Sequence, residues 1–163
     1  MEGFSDIDRL IALADIQQLK ARRDHALDLK DWATYEALHA PDHVSHHDES
    51  SGGKMGSAAN VVKTLSVTLD GVTTAHHSHT PNITFESPTK AHCVWSMEDN
   101  LYWMQGDEEH WLHGYGFYHE TCEKRDGVWL FTARSLKRTR RATSPGAKTG
   151  AERVAQQAKA TTD

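Results

Sequence analysis

One stretch of the sequence reads Thr73-Thr74-Ala75-His76-His77-Ser78-His79-Thr80-Pro81-Asn82-Ile83-Thr84-Phe85. Three of the twelve histidines fall within four positions of this stretch, directly before the alternating apolar pair Ile83 and Phe85. Alternation with period two is typical of a half-buried β-strand. The stretch is therefore predicted to carry histidine side chains on a strand that enters a core.

The composition restricts the function classes. The 163 residues are enough for one domain, and the net charge of -5 gives no basic surface for nucleic acid. No apolar run approaches the roughly 18 residues that a membrane-spanning helix needs, and the first residues do not resemble a signal peptide. The two cysteines, Cys93 and Cys122, are predicted to be buried thiols. We expect a cytoplasmic protein that does not bind nucleic acid or membranes.

The first half of the chain has helical periodicity. Ser5 and Asp8 have the spacing of a weak capping box, and apolar residues follow at helical spacing, with a possible break near Ala14-Asp15. A short second helix is predicted over 31–38, ahead of Ala40-Pro41, and a third over 57–69. Val44, between histidines, could lie in a short strand.

From residue 73 the periodicity changes to two. Strands are predicted over 73–86, 91–104, 110–123 and 128–138, and Arg125-Asp126-Gly127 is a strong hairpin signal. Helices followed by an antiparallel meander indicate an α+β fold, in which the helices pack on one face of a curved sheet. The domain is expected to span 1–141, and the polar tail 142–163 is predicted to be disordered or weakly helical.

The histidines allow two chemistries. His77 and His79 would face the same side of a strand and could bind a metal with a third ligand, for which Glu86, His92 and His113 are candidates. A second histidine cluster is formed by His43, His46 and His47. Alternatively, one histidine could act as a general base that is oriented by a carboxylate. Asp28, between Leu27 and Leu29, is the candidate carboxylate, although it could equally face water at a helix end.

Three further side chains are candidate pocket residues. Alternation along the last strand would put Arg134 on one face with Leu130, Thr132 and Leu136, where it could stabilise an oxyanion or a leaving group, or else extend along the sheet edge to solvent. His113 and Tyr115 are candidate substrate-binding residues on an aromatic strand. Gly114 and Gly116 in the same strand would leave room for a ligand.

Segments spread over the whole chain carry a resemblance to a known family. They are Ile16-Gln17-Gln18-Leu19 leading to Asp28-Leu29-Lys30-Asp31-Trp32, then His76-His77-Ser78-His79, and Lys124-Arg125-Asp126-Gly127-Val128-Trp129 before Arg134. In this order the chain, over about 7–138, resembles the SnoaL-like branch of the nuclear transport factor 2 (NTF2-like) superfamily. Within that branch the pattern is most similar to hexachlorocyclohexane dehydrochlorinase and bile-acid 7α-dehydratase, and less so to scytalone dehydratase.

The resemblance implies an NTF2-like cone and a cofactor-independent lyase with an Asp–His dyad. The family's aspartate falls on Asp28, its histidine on His76, its arginine on Arg134, and its polar residue of the first helix on Arg23. His77 is a rival for the base, because the alignment could slip by one residue. The implied substrate is an apolar, cyclic small molecule, and no metal or other cofactor is expected.

Several alternatives remain open at this point. The same dyad could serve an isomerase or cyclase, and the fold could instead be a non-catalytic small-molecule-binding module. The resemblance also implies a homodimer or homotrimer that forms through the outer face of the sheet. The aromatic area of Trp95, Trp103 and Trp111 favours such an assembly.

Overall fold

The computed structural model describes residues 3–46 and 54–160. Within these residues the chain forms, in order, α1 (Asp6–Asp28), α2 (Trp32–Ala37), β1 (His39–His46), β2 (Lys54–Gly56), α3 (Ala58–Thr68), β3 (Thr73–Ser87), β4 (Lys90–Gln105), β5 (Glu108–Arg125), β6 (Val128–Thr143) and α4 (Gly150–Ala160). The predicted α+β order, with helices ahead of a four-stranded meander, is confirmed.

The first helix begins as predicted but has no break. The Ser5 hydroxyl accepts the backbone N–H of Asp8 at 3.1 Å, and the Asp8 carboxylate accepts the backbone N–H of Ser5 at 3.2 Å. The predicted break near Ala14-Asp15 is wrong, since α1 runs without interruption for 23 residues. Alanine is the best helix former and an exposed aspartate costs little, so neither residue stops the helix. The helix ends where Lys30 adopts a left-handed backbone conformation with φ 60°.

The described strands form one sheet in the order β2-β1-β6-β5-β4-β3. The strands β3 to β6 are antiparallel to one another, as predicted, but β1 pairs in parallel with β6, with Ser45 opposite Arg134. The sheet is therefore mixed rather than wholly antiparallel. β1 covers an edge of β6 that would otherwise present unpaired backbone groups.

The inner face of the sheet, which packs against α1, is defined by alternation along the strands. It carries odd-numbered residues of β4 and even-numbered residues of β5. Cys93 and Cys122 lie in this core as free thiols, as predicted. Trp95 and Trp103 are also buried on the inner face. The sequence had suggested that the aromatic area of these residues favours an oligomer. Because both side chains are buried within the domain, their area does not support that argument. Assembly through the outer face stays a prediction.

A bulge changes the predicted face of β6. Thr121 pairs with Ala133 while the next residue, Cys122, pairs with Phe131, so Thr132 is an extra residue in the ladder. Arg134 consequently shares the inner face with Phe131 and Leu136. The predicted grouping of Arg134 with Leu130 and Thr132 is wrong, although the arginine does point inward.

The C-terminal tail contains a helix, which is one of the two states predicted for it. β6 continues to Thr143, and Gly150–Ala160 form α4, which packs on α3. Polar contacts hold it: Arg153 Nη2 donates to the carbonyl oxygens of Thr68 at 3.0 Å and Asp70 at 2.7 Å. The low apolar content of the tail had suggested that it would not pack, but polar contacts allow α4 to pack on α3. Among the described helices, none has the length and apolar character to span a membrane.

Candidate active site

The last residue of α1 meets β3 at one carboxylate. The Nδ1–H of His76 donates to Asp28 Oδ1 at 2.6 Å, and the backbone N–H of His76 donates to Asp28 Oδ2 at 2.9 Å. The Thr74 hydroxyl donates to Asp28 Oδ1 at 2.8 Å. Asp28 thus faces the sheet rather than solvent, and its two oxygens are fixed by three donors.

The local fold explains why a carboxylate is tolerated at this helix end. The C-terminus of a helix disfavours negative charge, so Asp28 gains nothing from its own helix. β3, however, is an edge strand of the sheet, and its outward N–H groups have no partner strand. The backbone N–H of His76 is one of these groups. Asp28 accepts it and holds the imidazole of the same residue in place.

The electrostatics set the tautomer of the histidine. Burial opposes ionisation of Asp28, but the hydrogen bonds from His76 and Thr74 outweigh this effect and lower the pKa of Asp28 below its usual value. The ionised carboxylate keeps a proton on His76 Nδ1, which leaves the lone pair on Nε2. The His76 side chain is 9% exposed. Such an imidazole can accept a proton from a substrate and has its positive charge stabilised afterwards.

Lys30 and Thr74 support this pair and were not anticipated from the sequence. Lys30 Nζ donates to the Thr74 hydroxyl oxygen at 2.6 Å, so the hydroxyl proton is directed to Asp28. Thr74 precedes His76 by two residues and therefore lies on the same face of β3. The two-residue spacing was the only sequence feature that could have identified Thr74 as a neighbour of the Asp28–His76 pair, and this spacing is too common to be diagnostic.

A second ion pair lies beside His76. Along the ladder His76 is opposite Asp99, and Asp99 is opposite Gly114. The Arg138 guanidinium binds the Asp99 carboxylate with two hydrogen bonds, of 3.0 and 2.7 Å. A β-carbon at Gly114 would overlap both Arg138 Nη1 and Asp99 Oδ1. The room that the sequence suggested for a ligand at Gly114 is therefore occupied by this ion pair.

The other implied residues lie in a buried charged cluster, which comprises Lys20, Arg23, Asp24, Glu120 and Arg134. Lys20 Nζ donates to Glu120 Oε1 at 3.0 Å, and Arg134 Nε lies 3.5 Å from the same oxygen. The Arg134 guanidinium also lies 4.2 Å from the centre of the Tyr118 ring. These contacts connect Arg134 with the cluster and not with Asp28 or His76.

The cluster reaches β3 through Asp24. Arg23 Nη1 donates to Asp24 Oδ1 at 3.0 Å, and Arg23 Nη2 donates to the Tyr35 hydroxyl at 2.8 Å. The Ser78 hydroxyl donates to Asp24 Oδ2 at 2.6 Å. Burial opposes ionisation of Asp24, but Lys20 and Arg23 lower its pKa. Ser78 is two residues beyond His76, so the cluster and the Asp28–His76 pair contact the same face of one strand.

A family model described as a SnoaL-like domain matches residues 8–135, which is most of the chain. The chain belongs to the SnoaL-like family. Solved structures similar to it include a type 2 hexachlorocyclohexane dehydrochlorinase, LinA, at 19% identity and a TM-score of 0.76, over 88% of this chain and 95% of that chain. A scytalone dehydratase-like protein from Novosphingobium aromaticivorans has 21% identity and a TM-score of 0.76, with coverages of 90% and 95%. ActVI-ORFA from Streptomyces coelicolor has 15% identity and a TM-score of 0.64, with coverages of 78% and 97%. At these identities the likeness establishes the NTF2-like fold, which confirms the predicted fold class.

Three of the predicted site residues of this SnoaL-like domain lie on the outer face of the sheet. His77 is exposed, with Nδ1 3.3 Å from Glu98 Oε1, so it is not placed to replace His76 beside Asp28. His113 and Tyr115 are odd-numbered residues of β5, whose inner face carries even-numbered ones. His113 instead packs against Trp111 and contacts the Tyr102 hydroxyl at 3.2 Å. The substrate-binding role of His113 and Tyr115 stays a prediction, and neither residue lines the cavity described below.

His77 and His79 both approach Glu98 Oε1, at 3.3 and 4.0 Å, but the third ligands considered for a metal do not join them. Glu86 and His92 pair with each other at 2.8 Å, away from His77 and His79. His43 is buried and its Nδ1 lies 3.2 Å from the Phe131 carbonyl oxygen, while His47 lies outside the described residues. Among the described residues, no group of three or more histidine, cysteine, aspartate or glutamate side chains is arranged to hold a metal ion.

A cavity of about 340 Å³ opens beside the Asp28–His76 pair, between the sheet and the ends of α3 and α4. Asp28 and His76 do not line it. Its apolar wall includes Leu101, which pairs with Thr74. Leu101 is the next inward-facing residue of β4 after Asp99, the partner of His76, so the cavity begins one inward-facing position from the His76–Asp99 pair. Two residues of a strand span about 7 Å. Arg138 borders both regions, since it lines the cavity and binds Asp99.

Replacing Gly114 by alanine is expected to destabilise the domain by about 1–3 kcal/mol, because the new methyl group has to displace the Arg138–Asp99 pair. Urea denaturation would measure the free energy of unfolding. The same substitution in an Arg138→Ala background should cost less, since one of the two overlapping groups is then absent. An equal cost in both backgrounds would show that Arg138 does not fill this space.

Proposed function

We propose that this SnoaL-like domain is a cofactor-independent lyase of the dehydratase type that acts on an apolar cyclic small molecule, with His76 as the general base and Asp28 as its partner. The observation that carries the proposal is the 2.6 Å hydrogen bond from His76 Nδ1 to a carboxylate that is fixed by two further donors. The family and the dehydrochlorinase and dehydratase names of similar structures support the reaction class.

The proposed reaction is an elimination. His76 Nε2 removes a proton from a carbon next to an activating group, and the electrons of that C–H bond form a C=C bond. The bond to the leaving group breaks, and hydroxide or halide departs with its electron pair. Asp28 stabilises the imidazolium that forms on His76. General base catalysis of this kind contributes roughly 10² to 10⁴ in rate.

Two guanidinium groups are candidates to assist the departing anion. Arg134, which the family resemblance implied, is bound to Glu120 and lies over Tyr118. Burial raises the pKa of Tyr118 to about 12, so its hydroxyl stays a proton donor. Arg138 lies beside Asp99, the ladder neighbour of His76, and lines the cavity. Its position favours Arg138 over Arg134.

The test is an elimination assay with a panel of cyclic alcohols and halides that carry an activating carbonyl or aryl group. Products would be followed by mass spectrometry. On any substrate found, His76→Gln is expected to lower kcat/KM by about 10² or more, while His77→Gln, the matched change on the outer face, leaves it near the wild-type value. Full activity in His76→Gln would refute the assignment of the base.

A non-catalytic binding module remains the second candidate. The observation that favours it is the position of the cavity, whose lining residues do not include Asp28 or His76. Ligand binding without turnover across the whole panel would support this candidate and overturn the lyase proposal.

A further inference from the structure

The cavity beside the proposed active site has apolar walls and a cationic end. Leu101, Trp103 and Leu112 form the apolar wall, and Arg138, Arg141 and Arg153 supply the charged groups. A volume of about 340 Å³ lies at the lower end of the range for small-molecule sites, roughly 300–1,000 Å³. A cavity of this kind suits a compact apolar ligand with one polar end.

Two residues that line this cavity each carry a buried donor with no acceptor among the described residues. Arg153 is 3% exposed, and its Nη2 is fully used by the carbonyl oxygens of Thr68 and Asp70, but its Nη1 has no hydrogen-bond partner among the described residues. The indole Nε1 of Trp103 also has no partner there. A buried polar group without a partner costs free energy, and native structures contain few of them. Both unpartnered groups are donors, so a ligand that reached them would have to supply acceptors.

The charge balance around the cavity points to the same conclusion. Asp99 neutralises Arg138, but no aspartate or glutamate is among the lining residues. Arg141 donates to the neutral Thr149 hydroxyl at 2.5 Å. No carboxylate of the described residues forms an ion pair within 4.0 Å of the Arg141 or Arg153 guanidinium, even though Glu152 precedes Arg153 in sequence and the Asp70 carbonyl oxygen accepts from Arg153. Two positive charges therefore remain without an ion-pair partner.

The start of α4 adds to this positive potential. Gly150, the first residue of this helix of 11 residues, lines the cavity together with Arg153. The N-terminus of a helix carries partial positive charge and backbone N–H donors. Burial also lowers the pKa of Arg153, an effect that the charge of Asp70 opposes, so a bound anion would stabilise the guanidinium further.

We infer that this cavity binds an apolar small molecule that carries a carboxylate or another acidic group, with the acidic group at Arg153 and Arg141 and the apolar part against Leu101, Trp103 and Leu112. The inference rests on the proposed function to the extent that this ligand is the substrate. It narrows the substrate class from any apolar cyclic compound to an apolar organic acid, whose apolar part packs against Leu101, one inward-facing position from the His76–Asp99 pair.

Binding of two matched probes by isothermal titration calorimetry tests the inference. 2-Naphthoate carries the acidic group, and 2-naphthamide has nearly the same shape without the charge. The wild-type protein should bind the carboxylate at least about tenfold more tightly than the amide, which is the effect of one charge-assisted contact. Arg153→Gln should remove most of this preference. Arg140→Gln, an equal change in charge at an exposed residue that does not line the cavity, should keep it.

Arg153→Gln also loses the bonds to Thr68 and Asp70 and could loosen α4, so Arg141→Gln serves as a second variant. The Arg141 side chain is exposed and, among the described residues, donates to the Thr149 hydroxyl alone, so its removal should lower the preference without unfolding the helix. Equal affinity for the two probes in the wild type, or no binding of naphthoate at millimolar concentration, would overturn the inference. So would an unchanged preference in both variants.

The same measurements separate this inference from the proposed reaction. If naphthoate is preferred but no member of the elimination panel is turned over, the site stands and the lyase proposal fails. If His76→Gln abolishes elimination of a neutral substrate while naphthoate is not preferred, the lyase proposal stands and the anion site fails.

Discussion

Asparagine in place of Asp28 is expected to lower kcat by about 10³ to 10⁴ while leaving the fold intact. The backbone N–H of His76 donates to Asp28 Oδ2, so the amide oxygen would remain at that position. The amide NH₂ would replace Oδ1, which accepts from the Thr74 hydroxyl and from His76 Nδ1. The amide NH₂ would then face His76 Nδ1, which would have to accept a hydrogen bond. The proton would move to Nε2, and the base would be lost through the wrong tautomer; an equivalent change in a serine protease triad has an effect of this size.

The matched control is Glu98→Gln. It makes the same chemical change in a carboxylate that pairs with a histidine, but Glu98 pairs with the exposed His77 at 3.3 Å. We expect activity within about threefold of wild type in this control, because surface ion pairs contribute little. Urea denaturation and steady-state kinetics on one substrate would be measured for both variants. Wild-type kcat in Asp28→Asn would contradict the assigned role of the dyad.

Stability is expected to fall as the pH is lowered from 8 to 5, well above the range in which carboxylates titrate. His39 and His43 are buried, with ring centres 4.6 Å apart. Burial, reinforced by Arg23, lowers the pKa of His39 to about 2. Burial also lowers the pKa of His43 to about 4, although the hydrogen bond to the Phe131 carbonyl opposes this.

The sign follows from proton binding. Below about pH 6.5 the unfolded chain protonates both histidines, whereas the folded protein protonates His43 only near pH 4 and His39 only near pH 2. The unfolded state binds more protons in this interval, so stability rises with pH. At pH 5 the expected loss is roughly 2 kcal/mol from His39, with a further loss of the same sign from His43.

Urea denaturation at pH 8, 6.5 and 5 would measure this slope. His39→Gln is expected to have a shallower slope than the wild type, whatever its stability at pH 8, and His92→Gln, a change at an exposed histidine that pairs with Glu86, should keep the wild-type slope. A free energy of unfolding that is constant from pH 8 to pH 5 would show that the two histidines are not held neutral by the fold.

The sequence predicted well the features that depend on local periodicity. The four long strands and the cap at Ser5 follow from the spacing of apolar residues and from turn chemistry. The choice of His76 as the neighbour of Asp28 came from the family resemblance, because no local pattern says which histidine a helix end will meet. The contact between them is present, and a catalytic role for it stays a proposal.

The features that the sequence missed depend on long-range pairing. β1 lies parallel to a strand about 90 positions later, and the bulge at Thr132 shifts the following residues of β6, as far as Arg138, to the other face. Arg138 fills the space above Gly114 only because β5 and β6 pair in this register. Alternation shows that His113 and Tyr115 share a face without showing which face is buried, and the structure places both on the outer face.

The position of Asp28 at the edge of the sheet has a consequence for self-association. An edge strand with free N–H groups can pair with a strand of another molecule and start aggregation. In β3 the backbone N–H of His76 is already occupied by Asp28, and Pro81 on the same strand has no N–H to offer. The carboxylate proposed to orient the base therefore also blocks the open edge of the sheet, so selection for solubility and selection for chemistry would act on the same side chain.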